Sequence, residues 1–332
     1  LRRAFIVFTH LQLSFMPKLP TQRKYVLVIH GGAVNADPST IPPEKEEKLK
    51  QGLKQALMAG SEILARGGAA LDAVEAAVKS MEDNELFNAG RGGMFNINGE
   101  VETESSIMDG STLRGGAVSG LKQVKNPVSL ARMVMEKCKH SFLTAEGAQE
   151  FALSQGLPLQ DPNYFKTDAQ REEWMEILQG AEVEHANKHD TVGAVALDQN
   201  GNLAMATSTG GIEGKLRGRV GDSCIFGGGG YANNEVCAVS TTGDGEIIML
   251  AGVAHEVYAL RKYKKMPIDK AAREAVEMYA EKLAGDRGII AVDPDGNFTI
   301  ESNTNVMRCG YQTDKEESFV AVWKKEVDEQ LR

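Results

Sequence analysis

The residues best placed to do chemistry in this chain are hydroxyls next to glycines. Thr191 follows His189-Asp190 and opens the run Thr191-Val192-Gly193-Ala194; two further runs, Thr207-Ser208-Thr209-Gly210-Gly211 and Thr241-Thr242-Gly243-Asp244-Gly245, come after it. A threonine hydroxyl is a weak nucleophile until a base sits beside it. Cutting the chain before Thr191 would supply one, because a freed α-amine has a pKa of about 7.7–8.0 and can take the hydroxyl proton near neutrality. Taken by spacing alone, Thr191 reads more simply as a threonine that opens a strand. Arg219 and Asp222 stand close together in Gly218-Arg219-Val220-Gly221-Asp222. They can grip an amino-acid zwitterion, the guanidinium on its carboxylate and the carboxylate on its ammonium, or more simply pair with each other. In the loop 242–245, a backbone N–H and a threonine hydroxyl can hold an oxyanion, although the same residues also make an ordinary turn.

Other machinery is missing from the sequence. It holds no G-x-x-x-x-G-K-[ST] phosphate loop, no G-x-S-x-G nucleophile turn and no H-E-x-x-H zinc helix. The glycines at 227–230 lack the spacing of a dinucleotide site, and the six histidines are scattered, so no metal cluster shows. His30, before Gly31-Gly32, reads as structural rather than catalytic. Cys138, Cys224, Cys237 and Cys309 form no C-x-x-C pair and read as buried free thiols of a reducing, cytoplasmic compartment. A formal net charge of −9 argues against nucleic acid and anionic membranes as partners. The 332 residues, 42% hydrophobic and 25% charged, have an ordinary globular composition and enough chain for a substantial core.

Positioning these groups falls to elements that the apolar pattern predicts. Residues 25–29, Tyr-Val-Leu-Val-Ile, predict a buried strand running into the glycines after His30. Helices are expected over 42–65, 72–81, 126–137 and 144–154, a glycine loop over 88–93, and a hairpin over 94–102 around Asn98-Gly99. Residues 156–190 crowd charges and prolines and predict a mobile surface linker with a single helical turn near Trp174. Beyond it, strands are expected over 191–197, 203–207, 236–240, 246–250, 288–293, 298–301 and 318–323, and helices over 253–263 and 268–282. A turn at Asn200-Gly201 would fold the first two of these strands into a hairpin and carry Thr209 towards Thr191. Strands and helices come in blocks rather than in βαβ alternation. That predicts an α/β protein of the α+β type, with packed antiparallel-rich sheets and helices outside. Residues 1–24, basic and then apolar, are expected to be a disordered leader without function.

Together these runs resemble the plant-type L-asparaginase and isoaspartyl peptidase family of N-terminal-nucleophile hydrolases. The resemblance covers about residues 25–323 and is densest over 190–233, in Thr-Val-Gly-Ala-Val-Ala-Leu-Asp, Ala-Thr-Ser-Thr-Gly-Gly, Gly-Arg-Val-Gly-Asp-Ser and Tyr-Ala-Asn-Asn. His30-Gly31-Gly32-Ala33, Phe87-Asn88-Ala89-Gly90 and Ser106-Ile107-Met108-Asp109-Gly110 support it. It implies a four-layer αββα sandwich. It implies a precursor cleaved between Asp190 and Thr191 through an N→O acyl shift, whose α subunit (25–190) and β subunit (191–332) remain one structural domain. Thr191 would be nucleophile and, through its amine, base; Thr209 would polarise its hydroxyl. Arg219 and Asp222 would bind the substrate's α-carboxylate and α-ammonium, Thr242 and the Gly243 N–H would form the oxyanion hole, Gly245 would offer a carbonyl to the substrate amine, and Asn88 would sit beside the site. The implied activity is hydrolysis of L-asparagine and β-aspartyl peptides, small-molecule substrates, by a dimer of αβ heterodimers with no required cofactor. A structural sodium would be held by main-chain carbonyls of Met81, Glu82, Asn84, Phe87, Ala89 and Arg91. Asp190 stands where many members have Gly, as it does in the glycosylasparaginase branch, and Ile212-Glu213-Gly214-Lys215 lacks the Asn often found before that Lys. A glycosylasparaginase and a non-cleaving scaffold are the alternatives. Thr209-Gly210-Gly211 matches the asparaginase branch, and every matched catalytic position holds a competent residue.

Overall fold

The computed structural model describes residues 23–178, 191–279 and 281–331. The β-branched run after Tyr25 forms β1 (Val26–Val34), buried along its whole length. Two helices return over it, α1 (Pro43–Ala65), which starts on a proline where the missing N–H costs nothing, and the alanine-rich α2 (Ala70–Glu82). An antiparallel pair follows, β2 (Thr103–Asp109) and β3 (Gly115–Leu121), and then α3 (Pro127–Lys137), β4 (Phe142–Thr144), α4 (Ala145–Ser154) and α5 (Asp168–Leu178). The second half runs β5 (Val192–Leu197), β6 (Leu203–Thr209), β7 (Gly230–Asn233), β8 (Cys237–Gly243), α6 (Gly245–Ala251), α7 (Val253–Lys264) and α8 (Ile268–Glu277). It ends with β9 (Arg287–Val292), β10 (Phe298–Ser302), β11 (Val306–Thr313), β12 (Phe319–Trp323) and α9 (Lys324–Leu331).

Among the described residues these strands make two sheets, an 8-stranded one in the order β12-β11-β1-β5-β6-β2-β3-β4 and a 4-stranded one in the order β10-β9-β8-β7. Every neighbouring pair is antiparallel except β3 and β4. Helices α1, α2 and α3 cover the outer face of the larger sheet, α7 and α8 cover that of the smaller, and the inner faces meet. The result is a four-layer αββα sandwich of the N-terminal-nucleophile hydrolase kind.

Strand alternation decides which residues enter the space between the sheets. In β1, Leu27 and Ile29 join the helix-side core, whereas Val26 and Val28 face the smaller sheet. In β5, Val192, Ala194 and Ala196 face the helices, while Val195 and Leu197 point between the sheets. In β6, Leu203 and Met205 point inward, in β2 Met108 does, and in β8 Ala238 does. Each of these apolar side chains, if of valine or leucine size, contributes about 1.5–3 kcal/mol by leaving water. Followed along the strands, the same parity puts Thr191, Thr209, Glu104, Ser106, Ser240 and Thr242 between the sheets too, beyond the end of the apolar packing. The middle layer is therefore apolar at one end and hydroxyl-rich at the other.

Several expectations need correction. Residues 246–250 belong to helix α6, not to a strand. Asp244 stands at its N-terminal boundary, and Gly252, in the left-handed region at φ 61°, ends it. A four-residue apolar run carries no periodicity that separates the two structures. Residues 94–102 form no strand pair, but an isolated antiparallel Phe95–Val101 bridge around the Gly99 turn and a parallel bridge from Asn96 to Lys215. The described part of the charged stretch is structured: a 3-10 turn at Pro162–Phe165 leads into α5, whose Trp174 packs edge-on against Phe95 with ring centroids 6.0 Å apart. Residues 179–190, including Asp190, lie outside the described residues, as do 1–22 of the expected leader. Arg23, counted with that leader, is anchored to the Gly296 carbonyl at 2.9 Å and to Glu316 at 3.0 Å. Cys224, Cys237 and Cys309 are buried free thiols as expected, but Cys138 is only half-buried.

Candidate active site

The hairpin of β5 and β6 is regular, with Val192 opposite Ser208 and Leu197 opposite Leu203. One step further along this ladder, Thr191 falls beside Thr209. Both are nearly buried, 4% and 3% exposed, yet both line a cavity with Gly211, Ile212, Arg219, Asp222, Gly243 and Gly245. It is small, about 10 Å³, room for about one water molecule. A far larger groove of about 720 Å³ between β10, β12 and α9 is lined by residues such as Arg273, Phe298, Tyr311 and Glu316. Its hydroxyls, such as Thr299 beside Glu301, lie away from any glycine loop that could hold an oxyanion, so chemistry rather than size picks the smaller cavity.

Thr191 is held by contacts at three of its atoms. Its backbone N–H donates to Thr242 Oγ1 at 3.4 Å, a long bond across the two sheets. Its Oγ1 lies 3.5 Å from the Ser223 hydroxyl, which donates towards it. Its carbonyl oxygen is 2.9 Å from His30 Nδ1, and His30 Nε2 is 2.7 Å from Ser240 Oγ. A carbonyl can only accept, so Nδ1 carries the ring proton and Nε2 accepts from Ser240. Burial pushes the His30 imidazolium pKa down to about 3, despite the carbonyl, which pulls the other way. His30 is thus a neutral clamp on the nucleophile's backbone. Gly193 makes room for it: a Cβ there would lie 2.2 Å from Ser240 Oγ and 2.3 Å from His30 Nε2.

The other expected residues converge on the same cavity. Thr209 accepts the Gly211 N–H at 3.0 Å. Asn88 donates to the Gly211 carbonyl at 2.6 Å and accepts the Met94 N–H at 3.1 Å, tying the 88–94 loop to the end of β6. Gly243, at φ 127° and packed on the Asp286 carbonyl, takes a conformation open to glycine, and it brings the loop after β8 to the cavity edge with Gly245.

Arg219 and Asp222 come together as a pair on one loop. Arg219 donates through Nε and Nη2 to Glu246 at 2.9 and 2.8 Å, while its Nη1 lies beside Gly211 and Gly221. Burial opposes its charge, but Glu246 and Glu104 hold its pKa above the usual value. Asp222 is 3% exposed, with Thr241 Oγ1 at 3.1 Å from Oδ2. Burial first, and the nearby Glu104 second, push its pKa up to about 7, while Thr241 and Arg219 pull it down. Behind the pair, Lys215 donates to the Glu102 and Gly210 carbonyls, and burial lowers its pKa to about 8. Sequence reasoning did not single out Ser223, Glu104 or Glu246 as parts of the site. Ser223 ends the quoted Gly-Arg-Val-Gly-Asp-Ser run without a role assigned to it, Glu104 sits among ordinary strand residues with no motif around it, and the Arg219–Glu246 contact joins residues far apart in sequence.

The loop expected to hold sodium is rich in carbonyls. Gly90 lies against the Glu82 carbonyl and Gly92 against those of Phe87 and Glu85, where any side chain would collide. The carbonyls of Met81, Asn84, Phe87 and Ala89 each accept a backbone N–H and keep a second lone pair, so the donor type fits a hard cation. Among the described residues no cluster of His, Cys, Asp or Glu could hold a metal, and no helix is long and apolar enough to cross a membrane.

Two stacked sheets between helical layers, with a threonine at the start of an inner strand facing a cation–anion pair and a glycine loop, define an N-terminal-nucleophile hydrolase. The chain belongs to the asparaginase family, whose profile matches residues 23–322. It is 46% identical over 276 residues to the isoaspartyl peptidase/L-asparaginase of Danio rerio, covering 82% of this chain and 87% of that protein. It is 42% identical over 286 residues to the Rattus norvegicus protein of the same name, covering 85% and 84%. To the isoaspartyl peptidase of Salmonella typhimurium it is 40% identical over 293 residues, covering 86% and 94%.

Proposed function

We propose that this chain cuts itself between Asp190 and Thr191 and then hydrolyses L-asparagine and β-aspartyl peptides through a β-aspartyl ester on Thr191. The observation that carries the reading is Thr191 itself: at the start of an inner strand, its nitrogen on Thr242 and its side chain beside the Arg219–Asp222 pair. In maturation, Thr191 Oγ1 attacks the Asp190 carbonyl carbon, the peptide C–N bond breaks as the nitrogen takes a proton, and water hydrolyses the resulting ester. The nitrogen that donates to Thr242 in the uncut chain becomes the α-amine.

In turnover, that amine takes the Oγ1 proton as the oxygen attacks the substrate's side-chain carbonyl carbon. Thr242 Oγ1 and the Gly243 N–H face the developing oxyanion. The C–N bond breaks, and the leaving ammonia or peptide amine takes the proton back from the Thr191 ammonium. Water, activated by the same amine, then releases aspartate. Thr209 polarises the nucleophile. Arg219 and Asp222 bind the α-carboxylate and α-ammonium, the Gly245 carbonyl accepts from the ammonium, and Asn88 fixes the loop beside them. The reading includes a sodium ion stiffening the 81–91 loop, a dimer of αβ heterodimers, and a cytoplasmic setting suited to four unpaired thiols. Purified protein should release ammonia from L-asparagine and leucine from β-Asp-Leu, and spare aspartyl-glucosamine. Hydrolysis of aspartyl-glucosamine alone would move the chain to the glycosylasparaginase branch.

A further inference from the structure

β2 carries Glu104 on the face between the sheets, opposite Thr209 of β6. Its side chain is 2% exposed, and neither the nucleophile nor the oxyanion loop uses it. Both carboxylate oxygens accept the Gly221 N–H, at 2.9 and 3.0 Å. Gly221 lies between Arg219 and Asp222. A Cβ there would sit 2.7 Å from Glu104 Oε1 and 2.7 Å from Arg219 Nη1, so carboxylate and guanidinium face each other across a space that glycine leaves open. Burying a carboxylate this deeply is unfavourable unless donors and cations hold it. Here burial raises its pKa, and Lys215, Arg219 and the Gly221 N–H oppose that rise.

Resting on the reading of Arg219 and Asp222 as the substrate's grip, we propose that Glu104 is a positioning residue for substrate recognition. Its carboxylate, clamped on the Gly221 N–H and set against Arg219, holds the loop so that the guanidinium presents to the substrate's α-carboxylate while Asp222 faces the α-ammonium. The loop carries Gly218 and Gly221, whose backbone freedom would otherwise be lost on binding. Around Asp222 stand Glu104 of β2, Thr241 of β8, and Arg219 and Cys224 of its own loop. One step further out, Lys215 faces Glu104, and Glu246 of α6 holds Arg219.

The test compares Glu104→Ala and Glu104→Gln with wild type, each as self-cleaved protein, assayed on L-asparagine. The alanine variant loses the clamp: KM rises about tenfold or more while kcat changes less than about threefold, the mark of lost binding rather than lost chemistry. The glutamine variant keeps an acceptor oxygen but loses the charge. Its KM stays within about threefold of wild type, because the Gly221 N–H keeps its acceptor. An alanine variant with the wild-type KM overturns the proposal, and so does a glutamine variant whose KM rises as far as that of alanine. If both variants remain uncleaved, Glu104 belongs to maturation and the proposal fails. A wild-type protein that hydrolyses neither L-asparagine nor β-Asp-Leu would instead sink the functional reading beneath it.

Discussion

Single atoms carry the chemistry. The nitrogen of Thr191 does two jobs in turn, donating to Thr242 as an amide and later accepting a proton as an amine. Arg219 offers the planar fork that a carboxylate fits, and in the uncut, substrate-free chain Glu246 occupies part of it. Arg219→Ala should raise the KM for L-asparagine roughly tenfold to a hundredfold, the loss of about 1.5–3 kcal/mol in charge-assisted hydrogen bonds. Arg219→Lys should fall between, keeping the charge without the fork, and steady-state kinetics on both variants would show it. His30 should keep a neutral ring at pH 5, with the proton on Nδ1; a ring titrating near its ordinary value in two-dimensional NMR would remove it from this buried clamp. Thr191, Thr209, Arg219, Asp222 and Thr242 were legible through the resemblance that their glycine-flanked runs make together, since spacing alone left each an ordinary strand, loop or turn residue. Glu104 and Glu246 were not, because what marks them is a partner many residues away.

The elements hold those atoms through strand parity and close approach. Inner faces of β1, β5 and β8 meet at His30, Gly193 and Ser240, where glycine is the residue that leaves room. Gly193→Ala should displace His30 from the Thr191 carbonyl, lower thermal stability by about 1–3 kcal/mol and slow self-cleavage, measured by denaturation and by gel. Helix α5 hangs on the hairpin-like 95–101 turn through Trp174, edge-on to Phe95. Trp174→Ala should expose 168–178 to proteases, read by limited proteolysis, because this contact holds the helix to the turn. The sequence announced β1, α1, the β5–β6 hairpin and β9, β10 and β12 through apolar periodicity, but not β11. It hid β2, with its Thr-Glu-Ser-Ser run, because this strand spends its inner positions on polar site residues. It also hid α5, whose charged residues mask the buried Gln170, and the 3-10 turn before it, which buries Phe165.

For the molecule as a whole, burying these groups makes pH act on function and stability in opposite directions. Asp222 is pushed up to about 7 from an ordinary 3.8. A raised folded pKa favours the protonated form, so its contribution to stability is fully present below about 3.8 and is lost as pH rises through about 7. Its function needs the charged form, and the Thr191 amine must be neutral to act as base, so kcat/KM should fall on the acid side as both groups take up protons, the amine at about 7.7–8.0 and Asp222 at about 7. Asp222→Asn should therefore be inactive yet melt at a higher temperature than wild type at pH 8; equal melting temperatures at pH 8 would mean Asp222 is not paying for its burial. His30 acts with the other sign: its folded pKa is depressed to about 3, so its contribution is present above about 6.5 and is lost as pH falls towards 3. The four-layer sandwich makes these costs bearable by pairing a long apolar end of the inter-sheet space with a short polar one.

The account turns on a free amine at Thr191, and N-terminal sequencing with intact mass of the purified, aged protein tests that directly. The expected result is two fragments, the smaller beginning Thr-Val-Gly-Ala, with Thr191→Ala remaining a single chain without activity. One full-length chain that still hydrolyses L-asparagine would contradict it.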